Sequence, residues 1–141
     1  MEWKLNQVGV GVKDLDKAIE YYSSVFGIGP FRKREALVAK AEVHGKPCQL
    51  PLKLAFARLG DISLELIQAE PGENIYWEFL QSKGEGLHHL GFYVPDMNAE
   101  LAPLKEKGVQ VLQSGVTERG GFAYLDSTAF GGSILELIQR A

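Results

Sequence analysis

Hydrophobic and polar residues follow the same order twice along the chain, which indicates an internal repeat. In the first copy, the valines of NQVGVGV, which begins at Asn6, alternate with smaller or polar residues at the two-residue period of a strand. Asp14 then offers a helix N-cap, apolar residues recur at helical spacing as far as Phe26, and Gly27 is suited to end the helix. We therefore predict a strand followed by a helix in this segment.

The second copy begins at His88 with HHLGFYV and repeats the strand pattern. Asp96 is again placed as an N-cap, and Gly108 is placed to end the second helix. Pro103 lies too deep in this helix to be accommodated without cost, so we expect either a kink or a late helix start.

Three further strands are predicted in each copy, and both copies end in the same five residues, LELIQ. A short helix closed by Gly84 links the copies. The sequence therefore predicts an α+β fold of two βαβββ modules, residues 1–70 and 87–141, joined by a helical linker at 71–86 in one compact domain. The further strands are predicted at residues 31–40, 52–59, 61–68, 109–116, 120–126 and 133–139.

One βαβββ module alone would leave an apolar sheet face and a sheet edge uncovered. Two modules cover each other, and we expect them to form a curved, mixed and largely antiparallel sheet that encloses a cleft. Side chains on the inner face of the strands then point into this cleft.

Aligning the two copies places residues of metal-ligand type at equivalent positions. Gln7 aligns with His89, and Glu65 aligns with Glu136. Each glutamate stands between two leucines, so the four side chains share one sheet face. A single glutamate in this setting is more often on a solvent face, but carboxylates gathered on an inward face need a cation or protons to neutralise them. The four residues therefore predict a site for one divalent cation, for which Co, Ni, Zn, Mn and Mg all remain open.

Residues next to the four candidates bear on the same site. His88 is the rival of His89, but its opposite parity predicts that it faces away from the cleft and packs or caps. Gly9, Gly11 and Gly91 are on inward positions, where they would either leave room for a ligand or allow close strand packing.

Composition limits the classes of function. The chain has 141 residues with 45% hydrophobic and 23% charged content, which is enough for a real core. Its single cysteine, Cys48, supplies neither an internal disulfide nor a zinc cluster, and we expect a reducing, cytoplasmic location. The N-terminal residues lack a signal-peptide pattern and no stretch is long and apolar enough to cross a membrane, so we expect neither export nor membrane insertion.

The charge is acidic overall and basic in one segment. A net charge of −3 argues against a nucleic-acid partner, because binding a phosphate backbone normally requires a basic face. Residues 31–58 nevertheless carry five more cations than anions, which would suit an anionic small molecule, although scattered surface charge is the plainer interpretation. The seven cations of this segment are Arg32, Lys33, Arg34, Lys40, Lys46, Lys53 and Arg58.

The segments GEGLHHLGFYV and GGSILELIQ, set in two βαβββ copies, resemble the vicinal oxygen chelate superfamily over essentially the whole chain. More narrowly, EFLQSKGEGLHHLGFYV followed by LKEKGVQVL resembles the methylmalonyl-CoA epimerases. The resemblance implies a glyoxalase-like fold, a homodimer, and metal-ligand positions at Gln7, Glu65, His89 and Glu136. It also implies a cation that binds two neighbouring substrate oxygens and stabilises the enolate formed by loss of an adjacent proton, with Glu136 as the base.

The chain departs from the epimerase pattern at the ligands. Epimerases usually have histidine at the position of Gln7 and glutamine at that of Glu65, whereas the set found here resembles that of glyoxalase I. They also have a His-Pro pair where this chain has Asp126 and Ser127. The segment 34–52 matches neither family, so the second acid/base residue cannot be assigned by resemblance. The candidates there are Glu35, Glu42 and His44.

Three functions remain open. The first is a metal-dependent epimerase of an anionic acyl thioester, with the basic segment holding the carrier. The second, favoured by the ligand set, is a lyase of the glyoxalase I kind. The third is a non-catalytic protein that binds a small molecule in the same cleft, which the presence of all four ligand residues disfavours. An extradiol dioxygenase is disfavoured still more strongly, because its facial triad uses two histidines and a carboxylate, and Gln7 stands where one of these histidines should be.

Overall fold

The computed structural model describes residues 2–141, in which eight strands and three α-helices are arranged as two βαβββ halves. None of the helices in this part of the chain is long and apolar enough to span a bilayer. The first half consists of β1 Lys4–Val12, α1 Leu15–Phe26, β2 Arg32–Val43, β3 Lys46–Leu59 and β4 Ile62–Gln68. Helix α2, Ile75–Lys83, leads to the second half, which consists of β5 Gly86–Tyr93, α3 Met97–Glu106, β6 Val111–Thr117, β7 Gly120–Leu125 and β8 Ile134–Arg140.

The eight strands close into a barrel in the order β1-β4-β3-β2-β6-β7-β8-β5. Within each half the first and last strands are parallel, because the helix after the first strand carries the chain back across the sheet. All other pairs are antiparallel, including the two seams between the halves, β1 with β5 and β2 with β6. The predicted mixed sheet of paired βαβββ modules is confirmed, and the cleft is the interior of this barrel.

Aspartate caps define the two outer helices as predicted. The Asp14 carboxylate accepts a hydrogen bond from the Lys17 amide, and Gly27, with φ of 69°, ends α1. The Asp96 carboxylate accepts from the Ala99 amide in the same way, so α3 begins immediately after it. Of the two alternatives expected from Pro103, a kink or a late helix start, the late start is therefore excluded, and Pro103 lies inside the helix.

Strands β2 and β3 are longer than predicted and form one hairpin. A two-residue turn at His44 and Gly45, with φ of 50° and 78°, joins β2 to β3 where a loop was expected. Two features obscure the alternation of polar and apolar residues along these strands. The register shifts between Val38 and Ala41, and Pro47 is the second residue of β3.

Helices α1 and α3 cover the outer face of the barrel, and this orientation decides which side chains enter it. Leu64 and Leu66 of β4 pack under α1, and Leu137 of β8 packs under α3. Since neighbouring residues of a strand point to opposite faces, Glu65 and Glu136 are directed inward. One part of the aliphatic core thus lies between the sheet and these two helices, and Glu65 and Glu136 of the same strands face the interior.

Candidate metal centre

Four side chains meet inside the barrel, one each from β1, β5 and the two strands parallel to them. Gln7, Glu65, His89 and Glu136 are each at most 5% exposed. The His89 Nε2 atom lies 3.3 Å from a Glu65 carboxylate oxygen and 3.2 Å from a Glu136 oxygen. The Gln7 amide nitrogen lies 3.2 Å from His89 Nε2 and donates a 2.6 Å hydrogen bond to Glu136. The structure thus brings together all four residues singled out in the sequence.

Two glycines at the β1–β5 seam give these side chains room to converge. Gly9 lies between Glu65 on β4 and His89 on β5, and Gly91 lies between Gln7 on β1 and Glu136 on β8. A Cβ atom at Gly9 would overlap the His89 ring, and one at Gly91 would lie 2.5 Å from Cγ of Gln7. The two glycines therefore leave room for side chains of the neighbouring strand, and the two halves do so in the same way.

The electrostatics of the cluster are those of carboxylates that lack enough positive charge. Burial raises the pKa of Glu65, and its Oε1 atom makes no hydrogen bond despite its closeness to the imidazole. Burial alone would lower the pKa of His89, but Glu136 and Glu65 outweigh it and raise this pKa to about 9. A single imidazolium therefore faces two buried carboxyl groups and offsets only part of their negative charge.

These residues fit a divalent cation. Ligand atoms of Glu65, His89 and Glu136 lie within 4.8 Å of one another, and one carboxylate oxygen there has no partner of its own. A half-turn of the Gln7 amide exchanges its NH₂ for its carbonyl oxygen, which would add a fourth donor. Two carboxylates, one imidazole and one amide oxygen suit the borderline and hard divalent metals.

The structure corrects the predicted orientation of His88. The register of β1 against β5 shifts between Gly9 and Val10, so that β5 has one extra residue there, and the bulge breaks the alternation. His88 is buried on the same side as His89, with the two Nδ1 atoms 2.9 Å apart. The prediction that His88 faces away is wrong, although it does pack, against the rings of Tyr76 and Phe79.

His88 determines how the imidazole of His89 is oriented. Burial lowers the pKa of His88 to about 3, so its ring is neutral. Because the neutral Nδ1 of His88 accepts the hydrogen on Nδ1 of His89, an imidazolium that gives up one proton to bind a metal would lose it from Nε2, the atom that faces the cluster. The contact thus selects the tautomer that a metal ligand requires.

A cavity of about 780 Å³ opens from the cluster, with Gln7, Glu65 and Glu136 in its wall. Its wall also carries arginines from both halves, and among the described residues none of these forms an ion pair with a carboxylate. Lys33 of the basic segment instead pairs with Asp16 on the outer surface, at 2.7 Å. The arginines of the cavity are Arg32, Arg34, Arg58, Arg119 and Arg140.

Two tyrosines that the sequence did not single out also line this cavity. Tyr76 of α2 and Tyr124 of β7 are buried, and their hydroxyl oxygens are 2.8 Å apart. The Tyr124 ring packs edge-on against His89 at a centroid distance of 5.0 Å. Burial and the nearby Glu136 raise the pKa of both phenols well above the usual value, so both keep their protons. Pairing LELIQ with the preceding strand would have located Tyr124 beside Glu136, whereas Tyr76 left no such signal.

The three residues named as second acid/base candidates lie elsewhere. Glu35 and Glu42 are exposed on β2 and are not in the wall of the cavity. His44, in the hairpin turn, lies 2.8 Å from the carboxylate of Glu78 on α2. None of the three approaches the buried cluster.

Comparisons with known proteins agree with this architecture. The model of the glyoxalase/bleomycin resistance protein/dioxygenase superfamily matches residues 6–124. The mitochondrial methylmalonyl-CoA epimerase of Bos taurus is 31% identical over 96% of this chain and 74% of that protein. The ethylmalonyl-CoA/methylmalonyl-CoA epimerase of Cereibacter sphaeroides is 29% identical over 96% of this chain and 97% of that protein.

A solved methylmalonyl-CoA epimerase in complex with methylmalonyl-CoA and NH₄⁺ has the same fold. It superposes with a TM-score of 0.73 over 99% of this chain and 95% of its own, at 24% identity.

Proposed function

We propose that this chain, which belongs to the glyoxalase/bleomycin resistance protein/dioxygenase superfamily, is a metal-dependent epimerase of the methylmalonyl-CoA epimerase type. One observation carries the proposal. Two buried carboxylates and an amide lie in the wall of a cavity, with the imidazole of His89 beside both carboxylates, and in the described part of the chain the other charged side chains of this wall are arginines that form no ion pair. Such a site offers a base to a C–H bond and cations to an anionic substrate.

The proposed metal ligands are Gln7, Glu65, His89 and Glu136. When bound, a divalent cation would act as a Lewis acid that offsets the negative charge gained by two neighbouring substrate oxygens. The carboxylate of Glu136 is the proposed base: it takes the proton from the carbon next to the carbonyl, and epimerisation is completed when the planar enolate receives a proton on its opposite face. A positioned base of this kind contributes about 10²- to 10⁴-fold to the rate.

The walls of the cavity support an anionic acyl thioester as substrate. Arg34 of β2 is half-buried, and Arg119 lies in the turn between β6 and β7, so the two halves contribute cations to one cavity. Burial and the neighbouring Arg119 lower the pKa of Arg34, as expected for cations without a counter-ion. A carboxylate or phosphate group of the substrate would supply that counter-ion.

Proton exchange tests the proposal directly. The protein is loaded in turn with Co, Ni, Zn, Mn and Mg and incubated with methylmalonyl-CoA in D₂O, and loss of the α-proton is followed by NMR. We expect exchange and epimerisation with at least one metal, and neither with Glu136→Gln. Absence of exchange from every loaded form, with all acyl-CoA substrates tried, would contradict the proposal.

A lyase of the glyoxalase I kind is the second candidate, because the identities of the four clustered residues favour it. Its substrate would be the adduct of a thiol with methylglyoxal. The loaded protein would then convert methylglyoxal in the presence of glutathione and leave the α-proton of acyl-CoA substrates in place.

A further inference from the structure

The two halves of the site differ at one pair of equivalent positions. In the first half Phe56 of β3 lies directly across from Glu65 on β4, and in the second half Tyr124 of β7 lies directly across from Glu136 on β8. Both aromatic side chains line the cavity. A phenyl ring therefore stands beside one carboxylate, and a phenol stands beside the other.

The phenol is held by a residue that has no counterpart in the first half. Tyr76 comes from α2, the helix between the two βαβββ halves, and its hydroxyl lies 2.8 Å from that of Tyr124. In such a pair one hydroxyl donates and the other accepts, so the pair retains one further O–H hydrogen. Among the described residues no acceptor is bonded to that hydrogen, and both side chains border the cavity.

We propose that the Tyr76–Tyr124 hydroxyl pair donates a hydrogen bond to a negatively charged oxygen of the bound ligand, on the Glu136 side of the site alone. The inference rests on the proposed function in one respect, namely that this oxygen is the one that gains charge when the neighbouring carbon loses its proton. A fixed O–H donor in a buried site stabilises such a charge without reorganisation.

A purely structural role of the pair makes different predictions. The hydroxyl bond also ties α2 to the barrel, and removal of one hydroxyl leaves the other buried without a partner, which destabilises the fold. The double variant Tyr76→Phe/Tyr124→Phe removes both hydroxyls and leaves no such orphan. Ligand affinity in this double variant therefore separates donation to a ligand from support of the helix.

The experiment measures binding of oxalate, a planar dianion with neighbouring oxygens, to the cobalt-loaded protein by calorimetry. We expect Tyr124→Phe and the double variant to bind oxalate about tenfold more weakly, with unchanged affinity for cobalt. With the epimerase substrate, kcat is expected to fall by about 10²-fold while KM changes little. Tyr21→Phe, on the exposed face of α1, is the matched loss of a phenol and should change none of these values.

A variant in which Phe56 and Tyr124 are swapped tests whether the phenol must lie on the Glu136 side of the site. In Phe56→Tyr/Tyr124→Phe the phenol is moved beside Glu65, and oxalate affinity should stay as low as in Tyr124→Phe. Wild-type affinity in this variant or in the double phenylalanine variant would overturn the inference. If the wild-type protein exchanges no α-proton, the epimerase assignment fails. The oxalate comparison still decides whether the Tyr76–Tyr124 pair donates a hydrogen bond to a ligand. If exchange is unaffected by Tyr124→Phe, only the present inference fails.

Discussion

Gly9 of β1 lies directly across from His89 of β5, and the imidazole occupies the space that a side chain at Gly9 would need. The same relationship recurs on the other side of the seam, where Gly91 faces Gln7. In each case the position must be glycine because the side chain of a residue from the opposite half fills the space next to it. The centre is thus built on close contact between two strands that are equivalent in the repeat.

Alanine at either glycine should weaken metal binding while leaving the barrel folded. We expect Gly9→Ala and Gly91→Ala to lower the affinity for cobalt by about 10- to 100-fold, because each displaces a ligand side chain. Gly11→Ala is the matched control, since the nearest atom to its Cβ would be 3.8 Å away, on Phe79. Isothermal titration with circular dichroism checks both parts, and equal affinities in all three variants would contradict the role of the glycines.

Loss of one ligand should remove most of the bound metal. Glu136→Gln and His89→Ala are each expected to be purified with a small fraction of the metal that the wild-type protein carries, because two strong donors cannot replace three. Elemental analysis of the purified proteins gives the metal content. Glu42→Gln and His44→Ala replace an exposed carboxylate and imidazole outside the cavity and should retain full metal content. Full retention by the first pair would refute the ligand assignment.

Metal affinity should rise with pH, because the metal and a proton compete for His89. The pKa of this residue is raised from 6.5 to about 9 in the metal-free fold, so its Nε2 atom must lose a proton before it coordinates. Between these two values each pH unit should strengthen the apparent affinity by roughly tenfold, for one displaced proton. Calorimetric titrations in buffers of different ionisation enthalpy would count the protons released when the metal binds. A metal affinity that does not change with pH would contradict the competition between metal and proton at His89.

Stability of the metal-free protein should change in the opposite direction. A folded-state pKa above the unfolded value means that protonated His89 stabilises the fold fully below pH 6.5, and that this contribution disappears as the pH rises through about 9. Urea unfolding of the metal-free protein should therefore show a lower midpoint at alkaline pH. His89→Asn should lose this slope.

Arginines of the cavity should govern affinity for the charged part of the substrate. Arg34→Met and Arg119→Met are each expected to raise KM for acyl-CoA substrates by about tenfold, since a hydrogen-bonded ion contact is lost. Lys33→Met removes a cation that pairs outside the cavity with Asp16 and should leave KM unchanged. An equal effect of all three variants would show that only the overall charge matters.

The repeat made the fold and the cluster accessible from sequence. Two LELIQ segments preceded by matching strand-helix patterns leave few ways to cover the sheet faces, and the resulting symmetry aligns Gln7 with His89 and Glu65 with Glu136. Alternation along regular strands then predicts which side chains point inward, and β4 and β8 obey it. The positions of the two glutamates therefore followed from the pattern alone.

Irregular and long-range features escaped this reasoning. The alternation of side chains along a strand predicted the wrong face for His88, because a bulge adds one residue to β5. No local sequence pattern marks this bulge. The β2–β3 hairpin was underestimated because prolines and a register shift interrupt its pattern. Tyr76 was overlooked because the entry of a linker helix into the cavity depends on tertiary packing, which leaves no period in the sequence.

Each half supplies only two of the four clustered side chains: Gln7 and Glu65 from one, His89 and Glu136 from the other. Two fragments produced by cleavage between β4 and α2 would each hold an incomplete donor set, whatever their individual structure. Cobalt absorbance would then appear only when the fragments reassociate across the β1–β5 seam. The ion would serve as a spectroscopic reporter of complementation, and its colour would measure how well the two fragments recognise each other.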